Sequence, residues 1–240
     1  MRNDGNDISP VCALVGSAGF DAAHFSRERF GCVAAVDGGY ASLSASGIVP
    51  DVAIGDFDSL GYVPSGVPVV RHPCEKDDSD TALALAWARG RGFGAAAVYG
   101  ALGGRLDHTQ ATYAALLGAA RAGMRVVANG EGSLVALLCA DAPDAPDGLV
   151  VAPDAAAPGA PFSLFPIGGP ARGVSISGAK YETRGVDIAC DVTLGLSNEF
   201  DGRPVRISLL GGALLAFLPA CPLSSLAWGM PSGERPSRAL

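Results

Sequence analysis

The sequence predicts an α/β protein in which a mostly parallel, Rossmann-like three-layer domain precedes a small antiparallel β-sandwich. Two observations predict the first domain: short, continuous apolar runs recur as far as Cys139, and helical patterns separate them. One observation predicts the second: beyond residue 161 the helical patterns stop, and short strand-like runs separated by Gly, Pro and Asn follow. Strands that alternate with helices are joined by right-handed crossovers, which place them parallel in one sheet.

The first part of the chain supplies the elements of the predicted parallel sheet. Its strands are expected at 11–15, 32–36, 51–54, 67–71, 95–99, 126–128 and 134–139. Its helices are expected at 21–29, at 40–45, from a cap at Asp77 or Asp78, and at 106–121, where Gly123 is a stop signal. This organisation predicts an α/β domain over residues 8–139.

The rest of the chain is predicted to hold three segments of different character. Residues 140–161 are rich in Ala, Pro, Asp and Gly without periodicity, which is typical of a linker or long loop. Residues 162–220 form the expected β-sandwich domain, with strands at 162–166, 173–177, 186–193, 205–209 and 213–218. Residues 221–240, rich in Pro, Ser and Gly, are expected to form a poorly ordered tail.

Composition excludes several classes of protein. Apolar residues make up 49% of the 240 residues and charged residues only 17%, as in a compact globular protein. The net charge of −7 without a Lys/Arg cluster argues against nucleic-acid and anionic-membrane partners, and no apolar run has the length of a membrane span. The polar N-terminus is unlike a secretory signal, and the six scattered cysteines include no CxxC pair. We therefore expect a reduced, cytoplasmic protein without a zinc site.

The segment 54–59 carries two carboxylates directly after a buried strand. If the segment is extended, Asp56 and Asp58 face one side, while Phe57 anchors the loop from the other. Two neighbouring carboxylates repel each other unless a cation lies between them or one is protonated. Oxygen ligands without nearby Cys or His favour a hard ion such as Mg²⁺. The alternative is an Asp-rich turn without a metal.

Other acidic residues also follow predicted strands. Asp37 and Asp107 come after apolar runs, and Asp77 and Asp80 open a helix after another. Ligands of open α/β sheets bind at the carboxyl ends of the strands, so a shared position there would require cations. For the last two, helix capping is the alternative, although Asp80 lies beyond the preferred cap position, which leaves its carboxylate available to a metal. Lys76 is either a solvated charge or a phosphate contact.

Residues 103–108 form the most specific phosphate signal. Gly103 and Gly104 allow the backbone to approach a phosphate before a helix N-terminus, and Arg105 offers a guanidinium suited to phosphate oxygens. Asp107 could orient that arginine or a substrate hydroxyl, whereas His108 by itself is more typical of a helix residue than of a base. The alternative is a glycine turn with a surface Arg–Asp pair. Neither a Walker A motif nor the GxGxxG fingerprint occurs.

The polar turn at 195–200 is the candidate ring-binding element of the second domain. Its polar residues could hydrogen-bond a heteroaromatic ring, or they could simply form a turn. Tyr181 could contribute a stacking contact or belong to the core.

These segments together resemble the thiamine pyrophosphokinase (thiamine diphosphokinase) family. The resemblance covers about residues 11–218 and includes the Gly-Asp-Phe-Asp-Ser and Gly-Gly-Arg-x-Asp-His motifs. The matching segments, in the order of the family, are 36–39, 50–59, 76–80, 103–108 and 195–200. The chain departs from the family pattern at Ser79, where Thr is commoner, in the long 140–161 segment, and after Tyr181, where Glu-Thr-Arg-Gly replaces the usual Pro-Leu.

The resemblance implies roles for individual residues. It implies that Asp56, Asp58 and Asp80 are ligands of Mg²⁺, and that Asp107 lies near the reacting hydroxyl. It implies that Ser197 and Asn198 bind the thiamine ring. The residues that it assigns to the ATP side are Asp37, Gly38, Lys76, Ser79, Gly103, Gly104, Arg105 and His108.

The resemblance also implies the reaction. The expected activity is transfer of the diphosphoryl group of ATP to thiamine, giving thiamine diphosphate and AMP, in a homodimer with active sites shared between subunits. Two alternatives remain: a diphosphokinase for another heterocyclic alcohol, such as a hydroxymethylpterin, and a thiamine diphosphate or nucleotide-binding module without turnover.

Overall fold

The computed structural model describes residues 10–73, 77–142 and 144–229. The chain forms two compact units, one extending to Ala115 and the other starting at Leu116. Lys76 lies outside the described residues. Within the described ranges, no helix combines the length and the apolar character that a membrane crossing requires.

The first unit is built on parallel strands. Its strands are β1 (Val11–Ala18), β2 (Cys32–Val36), β3 (Val52–Gly55), β4 (Val69–Arg71) and β5 (Ala95–Ala101), and they lie in the order β5-β1-β2-β3-β4. All four strand pairings in this order are parallel. The helices that begin in this unit are α1 (Ala22–Phe25), α2 (Gly39–Ala45), α3 (Asp80–Gly90) and α4 (Leu106–Arg121). The predicted alternation of parallel strands and helices is therefore confirmed for this unit.

Small residues let the first unit pack closely. The strand residues Cys12–Val15 and Ala95–Tyr99 are buried, in agreement with continuous apolar runs. At Gly39, the first residue of α2, a Cβ would lie 1.7 Å from the carbonyl oxygen of Val15 in β1. Only glycine therefore allows the helix to begin this close to the strand.

The cap of α3 differs from the sequence expectation. Ser79, rather than Asp77 or Asp78, is the N-cap, and its hydroxyl accepts a hydrogen bond from the backbone N–H of Ala82 at 3.3 Å. A short hydroxyl side chain at this position reaches the third N–H of the helix, which is the usual capping geometry. Asp80 is thus the first helical residue.

The second unit consists mainly of antiparallel strands. They are β6 (Arg125–Gly130), β7 (Ser133–Cys139), β8 (Gly148–Val151), β9 (Pro161–Pro166), β10 (Ala171–Ser177), β11 (Thr183–Ile188), β12 (Asn198–Glu199), β13 (Val205–Ser208), β14 (Ala213–Pro219) and β15 (Leu226–Trp228). One group has the order β12-β9-β14-β7-β6, and a separate five-stranded sheet has the order β11-β10-β13-β8-β15. The strands β6 and β7 form an antiparallel hairpin, so these two strands do not run parallel to each other as a fully parallel pattern through residue 139 would require.

Three strands fall where the sequence predicts none, and one of them, β12, lies in the predicted polar turn at 195–200. β8 lies inside the predicted 140–161 loop, and β15 lies inside the predicted 221–240 tail. The two pair with each other, and β8 also pairs with β13, so the hydrogen bonds of these short segments come from residues distant in the chain. The unit boundary also falls within α4 instead of near residue 139, because β7 pairs with β14 along seven residues.

Candidate functional site

Three carboxylates converge where two neighbouring parallel strands end. Asp37 follows β2, and Asp56 and Asp58 follow β3. One carboxylate oxygen from each lies within 4.8 Å of the other two. The β2–β3 register, which pairs Val36 with Ile54, brings these strand ends side by side, and the backbone N–H of Asp37 donates to the carbonyl of Ile54 at 2.7 Å. We refer to Asp37, Asp56 and Asp58 as the carboxylate cluster.

The backbone of the cluster turns sharply. Phe57 is buried, as predicted, and its φ of 65° is left-handed, so the segment forms a turn instead of the extended segment considered from the sequence. The turn still directs both flanking carboxylates to one place, and the backbone N–H of Asp58 donates to Oδ1 of Asp56 at 3.2 Å. Asp37 is also left-handed, with a φ of 46°. Such conformations cost energy in residues other than glycine and are common at functional sites.

The donor set of the cluster fits a hard divalent cation. Oδ1 of Asp37 is buried, and within the described ranges it has no hydrogen-bond partner. Burial raises the energy of an unpaired carboxylate oxygen, and a bound cation would offset that cost. Three carboxylates without Cys or His match the ligands that Mg²⁺ prefers.

The cluster differs from the predicted ligand set in one residue. Asp37, expected on the phosphate side, is a member, whereas Asp80 is not. Asp77 and Asp107 are exposed and are not members either. The predicted gathering of six carboxylates therefore reduces to three among the described residues.

The glycine-arginine loop lies between β5 and the start of α4. Gly103 and Gly104 have φ values of 85° and 68°, a conformation that glycine adopts without strain. Arg105 donates two hydrogen bonds to Asp107, from Nε at 3.1 Å and from Nη2 at 2.6 Å. That pairing lowers the pKa of Asp107 to about 2 and raises the pKa of Arg105. Both side chains are exposed, so the guanidinium is oriented by the carboxylate and open to solvent.

Two threonines support this loop, and the sequence reasoning missed them. The hydroxyl of Thr109 accepts from the N–H of Gly103 at 3.1 Å, and that of Thr112 donates to the carbonyl of Ala101 at 2.9 Å. Their signal in the sequence is a hydroxyl residue on the first turns of the helix that follows the glycines. His108 is exposed, and its backbone N–H donates to Asp107.

The two residues of the polar turn that were expected to bind the thiamine ring, Ser197 and Asn198, differ in exposure. Ser197 is exposed and left-handed, with a φ of 58°, and its N–H donates to the hydroxyl of Ser163 at 3.0 Å. Asn198 is only 7% exposed, and its carboxamide bonds to the backbone of Tyr181 and Glu199. Ser197 is therefore the exposed member of the turn, while the amide of Asn198 holds neighbouring backbone in place.

Family models match both parts of the chain. The model described as "Thiamin pyrophosphokinase, catalytic domain" matches residues 27–128, which include the carboxylate cluster and the glycine-arginine loop. The model described as "Thiamin pyrophosphokinase, vitamin B1 binding domain" matches residues 151–214, which include the polar turn.

Relatives agree in name and in fold. The thiamine pyrophosphokinase of Bacillus subtilis (strain 168) is 37% identical over 79 residues, which span 30% of this chain and 37% of that protein. The crystal structure of thiamine pyrophosphokinase from Bacillus subtilis has a TM-score of 0.74 at 20% identity, over 87% of this chain and 98% of that one. The thiamin pyrophosphokinase structure from Geobacillus thermodenitrificans has a TM-score of 0.72 at 24% identity, over 87% and 97%.

A likeness at such identities shows the fold, and the mixed α/β architecture with a second antiparallel sheet is confirmed by it. The family rests on the two matching models, which cover residues 27–128 and 151–214 in the expected order. This chain belongs to the thiamin pyrophosphokinase family.

Proposed function

We propose that the protein transfers the diphosphoryl group of ATP to the hydroxyethyl oxygen of thiamine, producing thiamine diphosphate and AMP. The observation that carries this proposal is the carboxylate cluster, which lies within the segment matched by the catalytic-domain model. The finer architecture that we propose is a Rossmann-like three-layer domain for ATP and a β-sandwich for thiamine.

Different residues of the first unit would bind Mg²⁺ and the phosphates of ATP. Asp37, Asp56 and Asp58 would hold Mg²⁺, with Asp80 retained as a ligand expected from the resemblance. When bound, Mg²⁺ neutralises phosphate charge. Arg105 supplies a guanidinium whose direction Asp107 fixes, and the two loop glycines leave room for close approach of phosphate oxygens.

The proposed attack is on the β-phosphorus. The thiamine oxygen forms a bond to that atom, the bond from it to the bridging oxygen of the α-phosphate breaks, AMP leaves, and the hydroxyl proton is released. A kinase acting on the γ-phosphate often relies on a P-loop lysine, and the sequence contains no P-loop. Asp107, next to Arg105, is the proposed neighbour of the reacting hydroxyl.

Thiamine is proposed to bind at the polar turn of the second unit, where Ser197 is exposed. We also propose a homodimer in which the ATP site of one subunit is completed by the thiamine site of the other. The proposed location, cytoplasmic, rests on the cysteine pattern, in which six scattered cysteines include no CxxC pair.

Product analysis tests the reaction. With thiamine and ATP labelled at the γ-phosphorus, we expect AMP and thiamine diphosphate in equal amounts by phosphorus NMR, with the label in the terminal phosphate of thiamine diphosphate. ADP with labelled thiamine monophosphate would show an ordinary kinase. AMP release with a hydroxymethylpterin but not with thiamine would favour the other diphosphokinase, and nucleotide binding without turnover would favour a binding module.

A further inference from the structure

The glycine-arginine loop is anchored at both ends but contains two glycines between its anchors. Leu102, which leads into the loop, is only 4% exposed. At the other end the loop enters α4, where the N–H of Thr109 donates to the carbonyl of Arg105 at 3.1 Å. Gly103 and Gly104, between these anchors, are both left-handed. Consecutive glycines have wide conformational freedom, so the path of the loop depends on contacts from residues outside it.

The hydroxyl of Thr109 contacts both ends of the tripeptide 103–105. Its Oγ1 accepts a hydrogen bond from the N–H of Gly103 at 3.1 Å and donates one to the carbonyl of Arg105 at 3.3 Å. A hydroxyl has one hydrogen to donate and lone pairs that accept, so a single group makes both bonds. The Thr109 hydroxyl therefore restrains the first and the last residue of the tripeptide that carries the guanidinium.

A second hydroxyl holds the residue from which the loop starts. Thr112 is 4% exposed, and its Oγ1 lies 2.9 Å from the carbonyl oxygen of Ala101 and 3.0 Å from that of His108. The single hydroxyl hydrogen is shared between the two carbonyls as a three-centre bond. Because Ala101 is the last residue of β5, Thr112 joins the end of that strand to α4.

The two hydroxyls leave one side of the loop open to solvent. Gly104 and Arg105 are exposed, and a Cβ on Gly104 would meet nothing within 4 Å. Glycine at position 104 is therefore required by its φ of 68° and not by a lack of space. Asp107 already orients the guanidinium of Arg105 through two hydrogen bonds. The position of that guanidinium then depends on the backbone that Thr109 restrains.

We propose that Thr109 is a positioning residue, whose hydroxyl holds residues 103–105 in the conformation in which Arg105 contacts the phosphates of ATP. This inference rests on the proposed function. In this role Thr109 acts through the backbone of the loop and needs no contact with the nucleotide. The competing explanation is that the hydroxyl only stabilises the start of α4, since threonine hydroxyls in helices can bond to the carbonyl four residues earlier.

Substitutions at Thr109 separate these two roles. The dissociation constant for ATP with Mg²⁺ is measured by calorimetry without thiamine, and Tm is recorded, in wild type, Thr109→Val and Thr109→Ser. Thr109→Val keeps the branched shape but removes the hydroxyl, and it should weaken ATP binding about 3- to 10-fold, the effect of one lost hydrogen bond. Thr109→Ser keeps the hydroxyl and should bind ATP within about twofold of wild type. KM for thiamine should be unchanged in both variants.

A double-mutant cycle tests whether Thr109 acts through Arg105. In the Arg105→Gln background, Thr109→Val should have no further effect on ATP affinity, because the guanidinium that it positions is absent. Additive effects of the two substitutions on ATP affinity would overturn the inference. A lower Tm in Thr109→Val with unchanged ATP affinity would also overturn it, because that is the result expected if the hydroxyl only stabilises the helix.

Ser46→Ala is the matched control. The hydroxyl of Ser46 also donates to the carbonyl four residues earlier, that of Ser42, at 3.1 Å, but it lies at the end of α2. Its removal should leave ATP affinity unchanged. If Thr109→Val does not fold, Thr109→Ala replaces it in the same comparison with Thr109→Ser.

The same measurements distinguish failure of this inference from failure of the proposed function. Wild-type protein that binds no ATP and releases no AMP would refute the proposed function, and this inference with it. AMP release with a different alcohol would change only the proposed acceptor, because ATP binding is measured without thiamine. Equal ATP affinity in wild type and Thr109→Val, with normal thiamine diphosphate formation, would refute the positioning role alone.

Discussion

Asp37 combines a left-handed backbone with a buried carboxylate oxygen. The backbone conformation costs energy in a residue other than glycine, and the buried oxygen costs energy when it has no hydrogen-bond or cation partner. The backbone contact of Asp37 with the end of β3 places its carboxylate beside those of Asp56 and Asp58. A residue held in this way is prepared to bind a cation. The structure therefore adds Asp37 to the candidate ligands of the metal ion.

Asp37→Asn should weaken binding of Mn²⁺, used as a substitute for Mg²⁺, by about tenfold or more, since one charged ligand is lost. Calorimetric titration without nucleotide measures this. Asp154→Asn, which removes an exposed carboxylate outside the cluster, is the matched control and should bind Mn²⁺ as wild type does. An unchanged affinity in Asp37→Asn would contradict the three-carboxylate site. An equally large loss in Asp80→Asn would restore Asp80 to the ligand set.

The Arg105–Asp107 pair predicts a specific pH dependence. Its hydrogen bonds lower the pKa of Asp107 from 3.8 to about 2, so the carboxylate stays ionised throughout the mildly acid range. Because the folded-state pKa is depressed, the contribution of the pair to stability is present above the ordinary pKa and is lost as the pH falls through about 2.

In Arg105→Gln, the pKa of Asp107 should return toward 3.8, so that its carboxyl resonance begins to shift near pH 4 in carbon NMR. In wild type the same resonance should still be constant at that pH. Arg121→Gln, which removes the partner of Asp141 instead, is the control and should leave Asp107 unchanged. Identical titrations in wild type and Arg105→Gln would show that the pair does not persist in solution.

The start of α2 depends on the absence of a side chain at its first residue, Gly39. Gly39→Ala would place a Cβ 1.7 Å from the carbonyl oxygen of Val15, so either the helix or β1 must move. We expect a loss of about 3 kcal/mol or more in the free energy of unfolding, measured by urea denaturation.

Gly90→Ala is the matched control for this substitution. Gly90 is the last residue of α3, and a Cβ there would meet nothing within 4 Å. Its stability should be unchanged or raised by up to about 1 kcal/mol, because alanine favours a helix more than glycine does. Similar destabilisation of both variants would indicate a general sensitivity of helix glycines instead of the contact with Val15.

At the scale of the whole molecule, the proposed sharing of active sites predicts complementation. Asp58→Asn would disable the ATP side, and Ser197→Trp would block the thiamine side with a large residue. An equal mixture of the two inactive proteins, after subunit exchange, should recover about a quarter of the wild-type activity, because half of the dimers are mixed and each has one intact site. Mixed dimers detected by mass spectrometry without recovered activity would argue that each site lies within one subunit.

Much of the fold and of the candidate site follows from the sequence by itself. Apolar runs such as Cys32–Val36 become parallel strands because a strand covered on both faces must be apolar along its whole length. Asp56, Asp58 and the glycines before Arg105 are recognisable because strand ends and glycine turns are local features. The family is also recognisable at this level, since its motifs are short and ordered.

Which of these groups meet depends on how distant segments of the chain pair. The register of β2 against β3 brings Asp37 into the carboxylate cluster, and Asp80 is not a member. Asn198 looks like a ligand residue in a turn, yet its amide bonds to Tyr181, 17 residues earlier in the chain. β8 and β15 form from segments without a strand pattern because strands distant in sequence supply their hydrogen bonds. The physical reason is the same in each case: local patterns set the conformation of a segment, whereas pairing between distant segments sets its partners.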